Sequence, residues 1–153
     1  MKRMMICLAL AAIVIGVAYV AYAGTAEDAK TLAQGAAAFI KQNGLQAGVT
    51  EIMKPDGKFR KGKLFLTAND FSGKMLASAA IPTLVGQNHY TLRDPNGKFF
   101  VQEAIEIAKT KGGGWLEYSF TDAETKKVVP RRAWVQRVEG MDVLVMAPFN
   151  IHK

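Results

Sequence analysis

Cysteine is almost missing from this chain: Cys7 is the only one in 153 residues. A lone cysteine makes no internal disulfide, no Cys-x-x-Cys-His haem site and no thiolate zinc cluster. Histidine is nearly as scarce. His89 and His152 stand far apart and supply no clustered ligands for a metal. The sequence has no Gly-x-Ser-x-Gly, no phosphate loop with Gly-Lys-Ser/Thr, and no nucleophile and base at a spacing that pairs them. Gly112-Gly-Gly114 follows a helical pattern instead of opening one, so it reads as a helix cap and not an anion cradle. Repeats and low-complexity tracts are absent as well. No enzyme chemistry, metal or cofactor is therefore expected.

Long hydrophobic runs are also few, and the one present lies at the start. Lys2 and Arg3 precede an uncharged apolar run from Met4 to Val20, and Ala21-Tyr22-Ala23 has the small-x-small pattern cut by signal peptidase. Residues 1–23 read as a secretory leader, with 24–153 as a single exported domain, periplasmic or secreted. The other reading is an uncleaved membrane anchor, since the run approaches the length of a bilayer span. No Leu-x-x-Cys box marks Cys7 for lipidation. Removal of the leader leaves a mature chain without cysteine, suited to an oxidising compartment.

Charge of one sign is not concentrated anywhere. The formal net charge is +7; without Lys2 and Arg3 the balance is 18 basic against 13 acidic residues, or +5. Lys54, Lys58, Arg60, Lys61 and Lys63, then Lys126, Lys127, Arg131 and Arg132, are scattered and not massed into a stripe, so no nucleic-acid partner is expected. In an exported protein such a balance suits small anionic ligands, a membrane surface or no specific partner.

What is present is a clear order of elements. Apolar residues at Ala29, Leu32, Ala33, Ala36, Ala37 and Ile40 fall on one helical face, and Gly44 should end that helix. Leu45–Met53 reads as a short second helix with Val49, Ile52 and Met53 inward, broken at Pro55-Asp-Gly57. Lys63–Asn69 alternates as a strand, Asp70-Phe-Ser-Gly73 turns, and Lys74–Ser78 returns as the hairpin partner. After an irregular stretch and the turn Asp94-Pro-Asn-Gly97, the spacing of Phe99, Phe100, Glu103, Ala104, Ile107 and Ala108 predicts another amphipathic helix. Trp115–Phe120, Val128–Val138 and Met141–Ala147 then read as three antiparallel strands, joined by Thr121–Lys127 and by the tight turn at Glu139-Gly140. Two strands, a crossover carrying a helix, and three more strands predict an α+β domain.

Taken in order, several short motifs resemble one family. They include Ala38-Phe-Ile-Lys-Gln-Asn-Gly44, Lys54-Pro-Asp-Gly-Lys-Phe59, Asp70-Phe-Ser-Gly73, Leu84-Val-Gly-Gln-Asn88 and Asp94-Pro-Asn-Gly-Lys-Phe-Phe100. Glu106-Ile-Ala-Lys-Thr-Lys-Gly112, Gly114-Trp-Leu-Glu-Tyr118, Thr125-Lys-Lys-Val-Val-Pro-Arg131 and Trp134-Val135 complete the series. From about Ala29 to Phe149 the chain resembles a single Cache domain, the PAS-like extracellular sensor module of bacterial chemoreceptors and histidine kinases, and most of all its short exported stand-alone members. The resemblance implies a central antiparallel sheet with a long N-terminal helix behind it. It also implies a small-molecule pocket between the sheet and the crossover, for organic acids, amino acids or amines. The function expected is that of a sensor for a small organic anion such as a carboxylate, relaying to a separate membrane partner, either a histidine kinase or a chemoreceptor, since the sequence ends at Lys153 without an output domain. Two departures stand out. Ser78-Ala79 occupies the place where such members often carry His-Pro, which removes a titratable group from the expected wall, and the last strand ends Val145-Met-Ala-Pro-Phe149. These departures support a second expectation, a Cache-fold interaction module of an envelope assembly with no working pocket.

An anion pocket needs a fixed cation and apolar walls that exclude water. By alternation Leu116, Tyr118 and Phe120 share one face of their strand, and Arg132, Trp134 and Gln136 share one face of the next. If the two faces coincide, Tyr118, Arg132 and Trp134 converge, with Arg132 holding a carboxylate bidentately; otherwise the two rings are core aromatics and Arg132 an edge charge. His89 in the crossover loop and Phe71 at the hairpin tip complete the candidate ligand-binding set.

Overall fold

A computed structural model of the chain describes residues 25–122 and 125–151; the expected leader and His152 lie outside the described residues. Helix α1 (25–43) buries the expected stripe: Ala29, Ala33, Ala36 and Ile40 have no exposed surface. Its face is mostly alanine, so the helix lies close to the sheet. The chain then turns at Gly44, whose φ of 88° and ψ of 160° belong to a region open to glycine, and its N–H closes on the Ile40 carbonyl at 2.8 Å. Helix α2 (Leu45–Met53) packs at once on α1 through Gly48, where a Cβ would lie 2.2 Å from Ile40 Cγ1.

Five strands follow in sequence: β1 (Thr67–Asp70), β2 (Met75–Ser78), β3 (Gly113–Thr121), β4 (Val128–Arg137) and β5 (Val143–Asn150). They form one antiparallel sheet in the order β2-β1-β5-β4-β3. The three-strand meander is as expected, and the β1–β2 hairpin joins its free edge along β5. Helix α3 (Phe100–Lys111) lies in the crossover between β2 and β3 and ends at Gly112 in the left-handed conformation, φ 71°. The α+β, PAS-like architecture is thus as the sequence indicates.

Strand β5 is the middle of the sheet and is covered on both faces, which is why it reads Val-Leu-Val-Met-Ala-Pro-Phe with no polar alternation. Val143, Val145, Ala147 and Phe149 join the core under α1 and α2; Leu144 and Met146 join the core under α3. The sheet therefore separates two apolar clusters, and the parity of a residue decides which one it enters.

One strand is shorter than its pattern suggests. The alternation at Lys63–Leu66 is not matched by a ladder, because β1 pairs with β5 only from Thr67 opposite Met146 to Asp70 opposite Val143. Two residues beyond Met146 stands Pro148, which has no N–H to donate to a further ladder bond. Just before β1 the backbone closes on itself, Lys61 and Leu64 exchanging main-chain bonds of 3.2 and 2.9 Å.

Asp94 fixes the crossover to the sheet. Its Oδ1 accepts from the backbone N–H groups of Asn96 and Lys98, each at 2.9 Å, and its Oδ2 accepts from Ser119 N on β3, also at 2.9 Å. Burial alone pushes this carboxyl up; the donors from Ser119, Lys98 and Asn96, with the Lys98 ammonium, outweigh it and hold Asp94 below its ordinary value of 3.8. A carboxyl depressed in the folded state adds stability that is complete above its unfolded value and is lost as pH falls through the folded one. Asp94→Asn turns one acceptor into a donor facing an N–H and is expected to cost about 2 kcal/mol at neutral pH. Urea unfolding should show that loss shrinking as pH falls below about 4, where the unfolded carboxyl takes up its proton first and the native one only at lower pH.

Candidate ligand pocket

The α3 face of the sheet does not close completely. Between β1, β5 and β3 on one side, and the crossover segment with the first turn of α3 on the other, lies a small cavity of about 50 Å³. Its walls are mostly apolar: Phe65, Met75, Met146, Leu84, Leu92, Phe100 and Phe120. Among the described residues, five polar ones reach it, namely Thr67 and Asn69 from β1, His89 from the crossover, Tyr118 from β3 and Arg131 from β4.

Backbone bonds hold the crossover in place as a lid. Gly86 N donates to Met75 O at 2.8 Å, Met75 N to Gln87 O at 2.9 Å, and His89 N to Gly73 O at 2.9 Å, so residues 86–89 run along the outer edge of β2. From the other side Gln102 Nε2 on α3 donates to Tyr90 O at 2.9 Å. His89 is thereby buried, and its Nε2 lies 3.2 Å from Leu84 O. A carbonyl only accepts, so that nitrogen carries the proton and Nδ1 is the ring atom left for other work.

Tyr118 stacks flat on Phe100, with ring centres 4.7 Å apart and planes 7° from parallel. Burial pushes its phenol above the ordinary value of 10.0, against the pull of Arg131, whose charge and hydrogen bond lower it. The phenol therefore stays protonated and remains a donor. Arg131 is half-buried: its Nε donates to Asn150 Oδ1 at 2.9 Å and its guanidinium lies 4.3 Å from the centre of the Phe120 ring. A planar cation fixed by an amide and a ring, beside a buried hydroxyl, is an arrangement that can receive a carboxylate.

The expected convergence of Tyr118, Arg132 and Trp134 is corrected by register. Across the β3–β4 ladder Tyr118 stands opposite Arg131, and Arg132 stands opposite Glu117. Arg132 and Trp134 thus lie on the α1 face, behind the pocket. There Arg132 covers the Trp115 ring at 4.3 Å, with Nε 3.5 Å from Glu117. Trp134 meets Trp115 edge-on at 5.0 Å, has Lys30 Nζ over its ring at 5.0 Å, and donates from Nε1 to Gln136 Oε1 at 3.0 Å. Phe71 is also outside the cavity: it packs against the core under α3, with Lys109 and Arg137 over its ring at 5.3 and 5.2 Å. Of the five candidates the structure brings Tyr118 and His89 together. The cation beside them, Arg131, was missed, although it is the neighbour of the one chosen. The signal that finds it is the length of the β3–β4 connection. Thr121 pairs with Val128, so the linker is one residue shorter than the Thr121–Lys127 segment, and a one-residue change moves every side chain to the other face.

A five-stranded antiparallel sheet with β5 at its centre, a long helix on one face and a pocket under a crossover on the other is the arrangement implied by the motifs. The family description Single Cache domain 2 matches residues 23–152. The chain belongs to the single Cache domain family. Solved structures share the fold. A periplasmic sensor domain of a chemotaxis protein superposes with a TM-score of 0.63 at 22% identity, covering 82% of this chain and 90% of the other. A Cache chemosensory domain studied for carboxylic acid recognition gives 0.69 at 18% identity, covering 88% and 98%. A methyl-accepting chemotaxis protein from Vibrio parahaemolyticus RIMD 2210633 gives 0.69 at 16% identity, covering 90% and 95%. At these identities the likeness is one of fold.

The lid of this Cache domain depends on Gly73. Its φ is +91°, and a Cβ there would lie 2.7–2.8 Å from Tyr90 Cβ, Cα and N. Backbone strain and the clash act together, so Gly73→Ala is expected to cost about 2–3 kcal/mol. Hydrogen exchange should show faster exchange at the His89 and Met75 amides than at those of α1.

Proposed function

We propose that this Cache domain is an exported sensor module that binds a short-chain carboxylate and relays its presence to a separate membrane partner, a chemoreceptor or histidine kinase. The observation that carries the reading is Arg131, a guanidinium set by Asn150 and Phe120 at the wall of an apolar cavity, with the protonated phenol of Tyr118 across the ladder. His89, Thr67 and Asn69 supply further polar atoms at the other walls. Size narrows the class. The cavity is small, about 50 Å³, which favours a short acid such as acetate or propionate over a larger one. The similarity in fold to a domain that recognises carboxylic acids supports the same class. The role is binding without turnover, and no cofactor enters it.

A second reading, an interaction module of an envelope assembly with no working pocket, has one observation in its favour. Ser78 is fully buried but turns its Oγ to the Ile81 N–H at 3.3 Å, so the position has become part of a backbone turn and not of the cavity wall.

A thermal-shift and calorimetric series with formate, acetate, propionate, butyrate and propionamide separates the two. One or two of the acids are expected to raise the melting temperature, and the amide is not. Loss of a charge-assisted pair is worth about 1.5–3 kcal/mol, so Arg131→Gln should weaken binding roughly 10- to 100-fold, while Arg132→Gln, on the other face, should change it less than about twofold. No stabilisation by any acid at millimolar concentration leaves the assembly reading standing.

Export through the leader predicts a mature chain that begins at Gly24. Amino-terminal sequencing of protein recovered from the periplasm or medium checks it; a chain that retains Met4–Val20 in the membrane fraction is instead an anchored form.

A further inference from the structure

A second hollow lies beside the first. It is a cleft of about 400 Å³ on the surface, bounded by Lys63, Leu64 and Phe65 on one side and by Pro148, Phe149 and Asn150 on the other, with Asp28 and Lys61 at its rim. Its origin is the premature end of the β1–β5 ladder: the chain at 63–66 runs beside the end of β5 without pairing to it, so the sheet is split along a seam. Phe65, Arg131 and Pro148 line the cleft and also the inner cavity, so one layer of side chains separates the two. The charges at the seam are mainly positive. Lys61 is joined to Asp28 at 2.8 Å, whereas Lys63 is exposed and Arg131 forms the floor.

We infer that this seam is the portal through which an anionic ligand reaches the pocket, with Lys63 attracting it, Phe65 as the movable leaf and Arg131 as the cation met on both sides. The inference rests on the carboxylate reading and deepens it. The opposite approach, under the lid, is closed by the backbone bonds of residues 86–89 to β2 and by Gln102 to Tyr90. Opening that side breaks main-chain hydrogen bonds, whereas opening the seam needs only a phenylalanine rotamer, because no ladder crosses it. A cleft of net positive charge raises the arrival rate of an anion, by tenfold or more at low salt.

The rates decide it. Propionate is the probe, and exchange of its methyl resonance in the presence of the full mature domain gives the dissociation rate, with calorimetry giving Kd. Lys63→Glu is expected to lower the association rate constant about tenfold at low salt and to flatten its salt dependence, with the dissociation rate within about twofold. Phe65→Ala is expected to raise the association rate severalfold, and a lid variant outside the cavity wall, Gln102→Ala, which removes only the side-chain bond to Tyr90 O, should leave both rates unchanged. If propionate binds the native domain and Lys63→Glu leaves the association rate and its salt dependence unaltered, or Gln102→Ala shifts the rates in place of Phe65→Ala, the portal is wrong while the pocket stands. If neither propionate nor acetate binds the native domain at all, pocket and portal fall together.

Discussion

The pairing of β3 with β4 is the constraint from which the candidate site follows. Nothing in Arg131 and Arg132 as amino acids distinguishes them: they are adjacent, equally charged and equally long. What separates them is that Thr121 meets Val128 across the ladder. That contact puts Tyr118, Phe120, Arg131, Ala133 and Val135 on the α3 face, and Trp115, Glu117, Arg132 and Trp134 on the α1 face. One guanidinium then joins a buried phenol at a cavity, and the other covers a tryptophan beside a carboxylate. Side-chain period along a strand is two, so the two environments cannot be exchanged without moving the whole strand.

The same sheet explains why the pocket is small and lies where it does. β5 is apolar on both faces and holds two cores apart. On the α1 side, alanines let the helix lie against the sheet and leave the space filled. On the α3 side the covering helix is shorter and follows a loop, and the region over β1, β5 and the far part of β3 is covered by the crossover alone. Main-chain bonds to β2 fix that loop, Asp94 fixes the turn at its far end to Ser119, and the Phe100–Tyr118 stack closes the gap between turn and sheet. Each contact is modest; a neutral hydrogen bond contributes about 1 kcal/mol net. Together they determine the position of His89.

Much of this was legible in the residues. The alanine stripe of α1, the inward Ile52 of α2, the Asp70–Gly73 turn, the α3 periodicity and the three final strands all carry local signals strong enough to survive folding, because each is a period or a turn chemistry confined to a few neighbours. The order of motifs was enough for the family. Two things were not legible, for the same reason. The face on which Arg131 lies depends on a connection whose length is uncertain by one residue, and turn residues such as Asp122 and Thr125 do not state where a strand stops. The seam at Lys63–Phe65 depends on Pro148, more than eighty positions away, ending a ladder that the local alternation would continue. Local pattern predicts a strand's existence better than its partner, since pairing is a long-range property.

The size of the cavity also limits what such a domain can do. A very small ligand gains at best about 1.5 kcal/mol per non-hydrogen atom, so an acid of roughly four or five such atoms gains about 6–8 kcal/mol, a Kd of about 1–40 µM at the tightest. On the carboxylate reading proposed above, that limit accounts for the placement of the cation. A guanidinium buried at the centre of an apolar core would cost several kcal/mol when no ligand is present, more than so small an acid can return. Arg131 avoids this by staying half-buried, with Asn150 holding its Nε and Phe120 its face. The cation therefore stands at the wall shared by the surface cleft and the inner cavity, which is where the ladder places it.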